Sequence, residues 1–158
     1  MRTTRKLSIL ILLVIIAACG KPFDSKFELA INQLLSDSGH GSETVYLIME
    51  QSGCTTCLYK ADEFYFSNKN EKIEHLKFVF TGYSSLKRLR LKYGISEKDE
   101  NIIIDSTSVF YKNNVRLEYP SILYFTSSKL KDYEIVGTDN FKAYSFLKDY
   151  LNSKSDLN

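Results

Sequence analysis

Apolar residues in this chain fall into runs and stripes of two periods, which predict alternating helices and strands. Residues 7–16 (LSILILLVII) are almost purely apolar, too short for a comfortable membrane span and of signal-peptide proportions. From Phe23 to Leu35, the positions Phe27, Ala30, Ile31, Leu34 and Leu35 form a helical stripe. Loop residues 36–42 (SDSGHGS) end it. Thr44 to Met49 (TVYLIM) is a nearly continuous run of β-formers, as in a strand covered on both faces. Gln51-Ser52-Gly53 breaks it. A helix is then expected from Cys54 or Thr55 to about Ser67, with Leu58, Ala61 and Phe64 or Tyr65 inward.

The second half continues the alternation. His75 to Thr81 reads as a strand through Leu76, Phe78 and Phe80. Ser84 or Ser85 can cap a helix bearing Leu86, Leu89 and Tyr93, closed by Gly94. Asn101 to Asp105 is a short strand, and 106–113 a short helix. Ser121 to Thr126 (SILYFT) is an apolar strand directly after Pro120. Residues 127–129 form a turn, and Tyr133 to Val136 pairs back as a hairpin ended by Gly137. Asp139 can cap a last helix with the stripe Ala143, Tyr144, Phe146, Leu147, Tyr150 and Leu151. The order predicts an α/β fold with a mixed central sheet flanked by helices, preceded by an extra N-terminal helix.

Charge bears on the location. The chain has 21 basic and 19 acidic residues. Arg2, Arg5 and Lys6 fall in the first eighteen residues, which hold no acid, so the remainder sits near −1. That argues against a nucleic-acid partner, which needs a basic footprint. An apolar content of 44% excludes a disordered chain. Ile16-Ala17-Ala18-Cys19 closely resembles the bacterial lipobox. The resemblance implies a lipoprotein signal peptide over 1–18, cleavage before Cys19 and acylation of its thiol (palmitate among the acyl groups). The bland alternative is an ordinary signal peptide or a signal anchor that leaves Cys19 a thiol. The lipoprotein reading places the protein in the cell envelope, anchored at Cys19 on a periplasmic or extracytoplasmic face. Gly20 follows Cys19, so the familiar inner-membrane retention aspartate is missing. Residues 19–42 are read as tether and helix, 43–152 as the domain and 153–158 as a tail.

Lipidation leaves Cys54 and Cys57, spaced C-x-x-C where a strand meets a helix. The first thiol sits where backbone N–H groups and the helix dipole favour its thiolate. The second lies one turn on, close enough to close a disulfide. Such a pair can attack a substrate disulfide through Cys54 and resolve the adduct through Cys57. Lys60 either adds positive potential or is a solvated lysine. The competing readings are a static structural disulfide and a metal site. Zinc wants four ligands, and His40 and His75 have no ligand-like spacing to the pair.

With these residues in place, the chain resembles the thioredoxin superfamily, specifically extracytoplasmic thioredoxin-like or redoxin proteins. The matching pieces are TVYLIM, Cys54-Thr55-Thr56-Cys57 opening a helix, Tyr119-Pro120 before SILYFT, the hairpin, Gly137 and the last helix. Asp105 through Phe110 and Val115 to Pro120 also looks like the redoxin stretch. The resemblance implies a thioredoxin-like fold and a Tyr119–Pro120 bond that is cis beside the disulfide. There the Tyr119 backbone would dock a substrate chain. A trans proline that merely starts a strand is the alternative. The chain departs from the family at three points. Gly53 stands where tryptophan is frequent, Thr56 where proline is frequent, and Ile48 where thioredoxins carry a buried acid. The nearest acid on that side, Glu50, is either a proton relay for Cys57 or a solvated loop acid.

The expected function is membrane-anchored thiol-disulfide exchange on cysteines of exported proteins. The alternatives are a non-catalytic thioredoxin-like binding lipoprotein and, further off, a copper-handling protein. No G-x-G-x-x-G fingerprint occurs, so no cofactor is expected and electrons should come from a membrane thiol donor or acceptor. A helix N-terminus without a buried acid predicts a potential less reducing than thioredoxin's about −270 mV, in the range of about −180 to −230 mV.

Overall fold

The computed structural model describes residues 25–36, 43–71, 73, 75–96 and 99–155. The elements are α1 (Ser25–Leu35), β1 (Glu43–Glu50), α2 (Thr55–Asn68), β2 (Leu76–Thr81) and α3 (Leu86–Tyr93). They continue as β3 (Ile102–Ile104), α4 (Val109–Lys112), β4 (Ser121–Thr126), β5 (Lys129–Ile135) and α5 (Lys142–Ser155). The apolar segment 7–16, Cys19 and His40 lie outside the described residues.

Among the described residues the strands form one five-stranded sheet in the order β3-β2-β1-β4-β5. β1 runs parallel to β2, and β2 to β3, whereas β4 is antiparallel to β1 and β5 to β4. Val45, Leu47 and Met49 of the central strand pack with Ala61, Phe64 and Tyr65 of α2, Leu89 and Tyr93 of α3, and Ala143 and Leu147 of α5. Tyr46 and Ile48 pack on the opposite face with Ile31 and Leu35 of α1 and Phe110 of α4. A strand clad on both faces needs no polar alternation, which is the physical reason for the unbroken TVYLIM. The result is a five-stranded mixed sheet between two helical layers, the α/β arrangement expected from the element order.

The extra helix α1 belongs to this core. Ile31 and Leu35 are each 1% exposed, and full burial of such side chains contributes about 1.5–3 kcal/mol apiece. Phe27 adds ring contacts to Phe110 at 5.9 Å and to Tyr133 at 6.5 Å.

Three expectations need correction. β5 begins at Lys129, not Tyr133, because Ser127 and Ser128 both take left-handed φ values (50° and 64°) and make a two-residue hairpin turn. α5 begins at Lys142, past Asp139, and runs through Ser155, beyond the expected boundary at 152. Phe146 is 61% exposed. Ala143, Tyr144, Leu147 and Leu151 already span the buried face, and Phe146 falls on its flank. By contrast α3 is capped as expected, with the Ser85 hydroxyl accepting from the Arg88 N–H and Gly94 closing the helix in the left-handed region.

Candidate functional site

The site forms where β1 ends and α2 begins. Cys54 is the N-cap of α2, with extended backbone, and its Sγ accepts a hydrogen bond from the Cys57 N–H at 3.3 Å. Cys54 and Cys57 are joined in a disulfide, their Cα atoms 5.2 Å apart. Cys57 is fully buried and Cys54 partly exposed. An incoming sulfur therefore reaches Cys54 first. On reduction, the N–H groups and dipole at the start of a 14-residue helix favour the Cys54 thiolate.

The segment before β4 closes over the first cysteine. The Cys54 N–H donates to the Glu118 carbonyl at 3.0 Å. Gly53 has φ +119°, and a Cβ there would overlap the same carbonyl. The glycine in place of a tryptophan thus follows from backbone contact: no larger side chain fits. Pro120 is buried and Tyr119 is 38% exposed beside this contact. The structure therefore brings the segment leading into Tyr119 and Pro120 against Cys54 through the Glu118 carbonyl.

The Tyr119–Pro120 peptide is trans, which corrects the cis expectation. Trans is the lower-energy form of an X–Pro bond by about 0.5–1 kcal/mol. The trans chain already satisfies its neighbours: Glu118 accepts from Cys54, and the Pro120 carbonyl accepts from the Val136 N–H at 2.8 Å. The Tyr119 carbonyl takes a 3.4 Å bond from the Ser121 hydroxyl. Glu118 acts through its backbone carbonyl, so its side-chain type carried no signal; the only sequence trace of the contact is Gly53.

Glu50 ends β1 and faces a cleft of about 320 Å³ alongside the first turns of α2. Leu58, Leu89 and Tyr93 give the cleft apolar walls, and Arg88 and Lys92 lie along its α3 side. Glu50 Oε1 accepts from the Ser52 hydroxyl at 3.2 Å, while Oε2 is buried without a hydrogen-bond partner. Burial pushes the carboxyl above the usual range, and Ser52, the Leu117 backbone and Arg116 pull it partly back. Glu50 is accordingly a half-buried acid rather than a solvated one.

The other candidates separate from the site. Lys60 pairs with Glu63 at 2.6 Å on the surface, so its charge is taken up there. His75 Nδ1 is 3.0 Å from the Glu43 carbonyl, at the opposite end of β1 from Cys54. Among the described residues, no three His, Cys, Asp or Glu side chains gather into a metal-binding group. Asp105, read in sequence as the end of a short strand and the start of the redoxin-like stretch, is a buried structural carboxylate. It accepts from the Thr81 hydroxyl at 2.8 Å and the Val109 N–H at 3.0 Å, tying β2 to the start of α4.

No protein-family profile matches the chain, and no curated protein sequence matches it. Among solved structures, the exposed lipoprotein thioredoxin Etrx1 from Streptococcus pneumoniae strain TIGR4 is similar at 19% identity and a TM-score of 0.43, over 73% of this chain and 89% of that one. StoA from Bacillus subtilis is similar at 12% identity and a TM-score of 0.40, over 68% of this chain and 84% of that one. The case for chemistry rests on the geometry around Cys54.

Proposed function

We propose that this protein is a thiol-disulfide oxidoreductase working through the Cys54/Cys57 couple. The observation that carries the reading is the disulfide at the N-terminus of α2, with Cys54 reachable and Cys57 buried behind it. In the reducing direction the Cys54 thiolate attacks one sulfur of a substrate disulfide. A Cys54–substrate bond forms and one substrate thiolate leaves. The Cys57 thiolate then attacks Cys54 Sγ, forming the Cys54–Cys57 disulfide and releasing the second substrate thiolate. Two electrons pass from protein to substrate, and the reverse sequence oxidises a substrate dithiol.

A buried thiol resists ionisation, so Cys57 needs a proton acceptor. We assign that role to Glu50, whose half-buried carboxyl lies at the end of the strand leading into the motif. The backbone around Tyr119 and Pro120, next to Cys54, is the docking edge for the substrate chain. The lipobox-like Ile16-Ala17-Ala18-Cys19 supports an anchor at Cys19 and an extracytoplasmic position, with cysteines of exported proteins as substrates and a membrane thiol donor or acceptor as electron partner. Among the described residues no helix is long and apolar enough to cross a membrane.

The test is a quantitative thiol count on the purified protein before and after dithiothreitol, with Cys54→Ser alongside. Two thiols should appear on reduction and disappear on exposure to a disulfide, and Cys54→Ser should lose all exchange. A Cys54→Ser variant that works unchanged would identify a binding module instead.

A further inference from the structure

Helix α3 (LKRLRLKY) carries Lys87, Arg88, Arg90 and Lys92 and no acid. Lys87 and Arg88 sit in its first turn, where the helix dipole disfavours cations, so folding of the helix does not account for them. The buried face of α3 is Leu89 and Tyr93. The helical period puts Lys87 and Leu91 on the side away from it and Arg88 and Lys92 on the flank that meets the cleft; Leu91 is 74% exposed. Arg88 and Lys92, four residues apart, border the cleft that reaches back to Leu58, the residue after Cys57. Leu58 itself donates its N–H to the Cys54 carbonyl at 2.9 Å. The charge of Lys92 is partly answered by Asp62 at 2.8 Å, which leaves Arg88 as the cation the cleft offers to a ligand.

We propose that α3 and this cleft form a docking site for acidic segments of substrate proteins, so that the enzyme prefers cysteines flanked by Asp and Glu. The cleft's apolar walls take a side chain of the docked segment, while Arg88 at its rim meets a carboxylate. A concave site that reaches the first turn of the helix bearing the disulfide suits a peptide segment, whereas a flat anionic membrane would not enter it. The proposal rests on the reading of Cys54 as the exchanging sulfur.

The experiment reduces the full-length protein with dithiothreitol, removes the reagent and follows oxidation of its thiols by three disulfides. One is neutral 2-hydroxyethyl disulfide. The other two are cystine-bridged peptides identical except for flanking Asp or flanking Lys. The acidic peptide should react about tenfold faster than the basic one at low salt, with the ratio falling toward one at about 1 M salt. Arg88→Glu should cut the ratio at least threefold. Lys112→Glu, an equal charge change on α4 across the sheet, should leave it intact. Equal rates for the two peptides, or the same ratio in Arg88→Glu and Lys112→Glu, would overturn the proposal. So would Arg88-dependent binding to phosphatidylglycerol vesicles together with equal peptide rates, which would assign α3 to a membrane surface. Failure with 2-hydroxyethyl disulfide as well would instead sink the oxidoreductase reading beneath it.

Discussion

Residue identities near the disulfide are constrained by backbone as much as by chemistry. Gly53→Ala places a methyl group into the Glu118 carbonyl at a φ of +119°, a conformation that costs an L-residue about 1–3 kcal/mol. The variant should lose at least about 2 kcal/mol in a urea titration and loosen the chain over Cys54. Cys57→Ala removes the resolving sulfur, so mixed disulfides through Cys54 should accumulate and be recoverable by mass spectrometry. Glu50 gives a pH signature. Its folded value is raised by burial, so its favourable neutral state is fully present below the ordinary value of 4.5 and is lost as pH rises through the raised one. Glu50→Gln should therefore gain stability over the parent at pH 7 relative to pH 4, and should slow the step in which Cys57 attacks. An identical stability difference at both pH values would show that the acid is solvated. The Cys54/Cys57 pair was legible because thiols at that spacing and position have few other uses. Glu118 was not, because its contribution is a carbonyl that any residue carries. The trans state of Tyr119–Pro120 was not legible either, since proline permits both isomers and local hydrogen bonding decides.

At the scale of elements, β1, α2 and β4 were readable almost to the residue, because each is a dense apolar pattern between clear breaks. The start of β5 was not. Its residues are polar and lie on an edge, and the Ser127-Ser128 turn lacks the Asn-Gly signal that usually marks such hairpins. The double change Ser127→Asn and Ser128→Gly relieves left-handed strain and should stabilise the protein by about 1 kcal/mol, read from the denaturation midpoint. Asp105 joins two elements through bonds that sequence patterning does not register. Asp105→Ala strands the Thr81 hydroxyl and the Val109 N–H and should cost about 3 kcal/mol. Asp105→Asn, which keeps an acceptor, should cost less.

For the whole molecule, two helical layers hold the sheet rigid behind one reactive edge, and α1 is part of that frame. Ile31→Ala should destabilise by about 2–5 kcal/mol, whereas a detachable tether would tolerate it with little change. The mixed-sheet class was legible from element order, but the packing of α1 was not, because a helical stripe says which face is buried and not against what. The central claim is that this frame presents Cys54–Cys57 as a working couple rather than a fixed crosslink. Lys60, spent on Glu63, drops out of the argument for an oxidising shift, and Glu50 proves to be a half-buried acid, so the helix N-terminus alone carries it. Equilibration of the protein in graded glutathione buffers, followed by alkylation and separation of dithiol from disulfide, tests the claim most directly. The account predicts a reversible two-electron transition with a midpoint of about −180 to −230 mV. A disulfide that stays closed across the whole range, with a potential below about −300 mV as structural disulfides have, would contradict it.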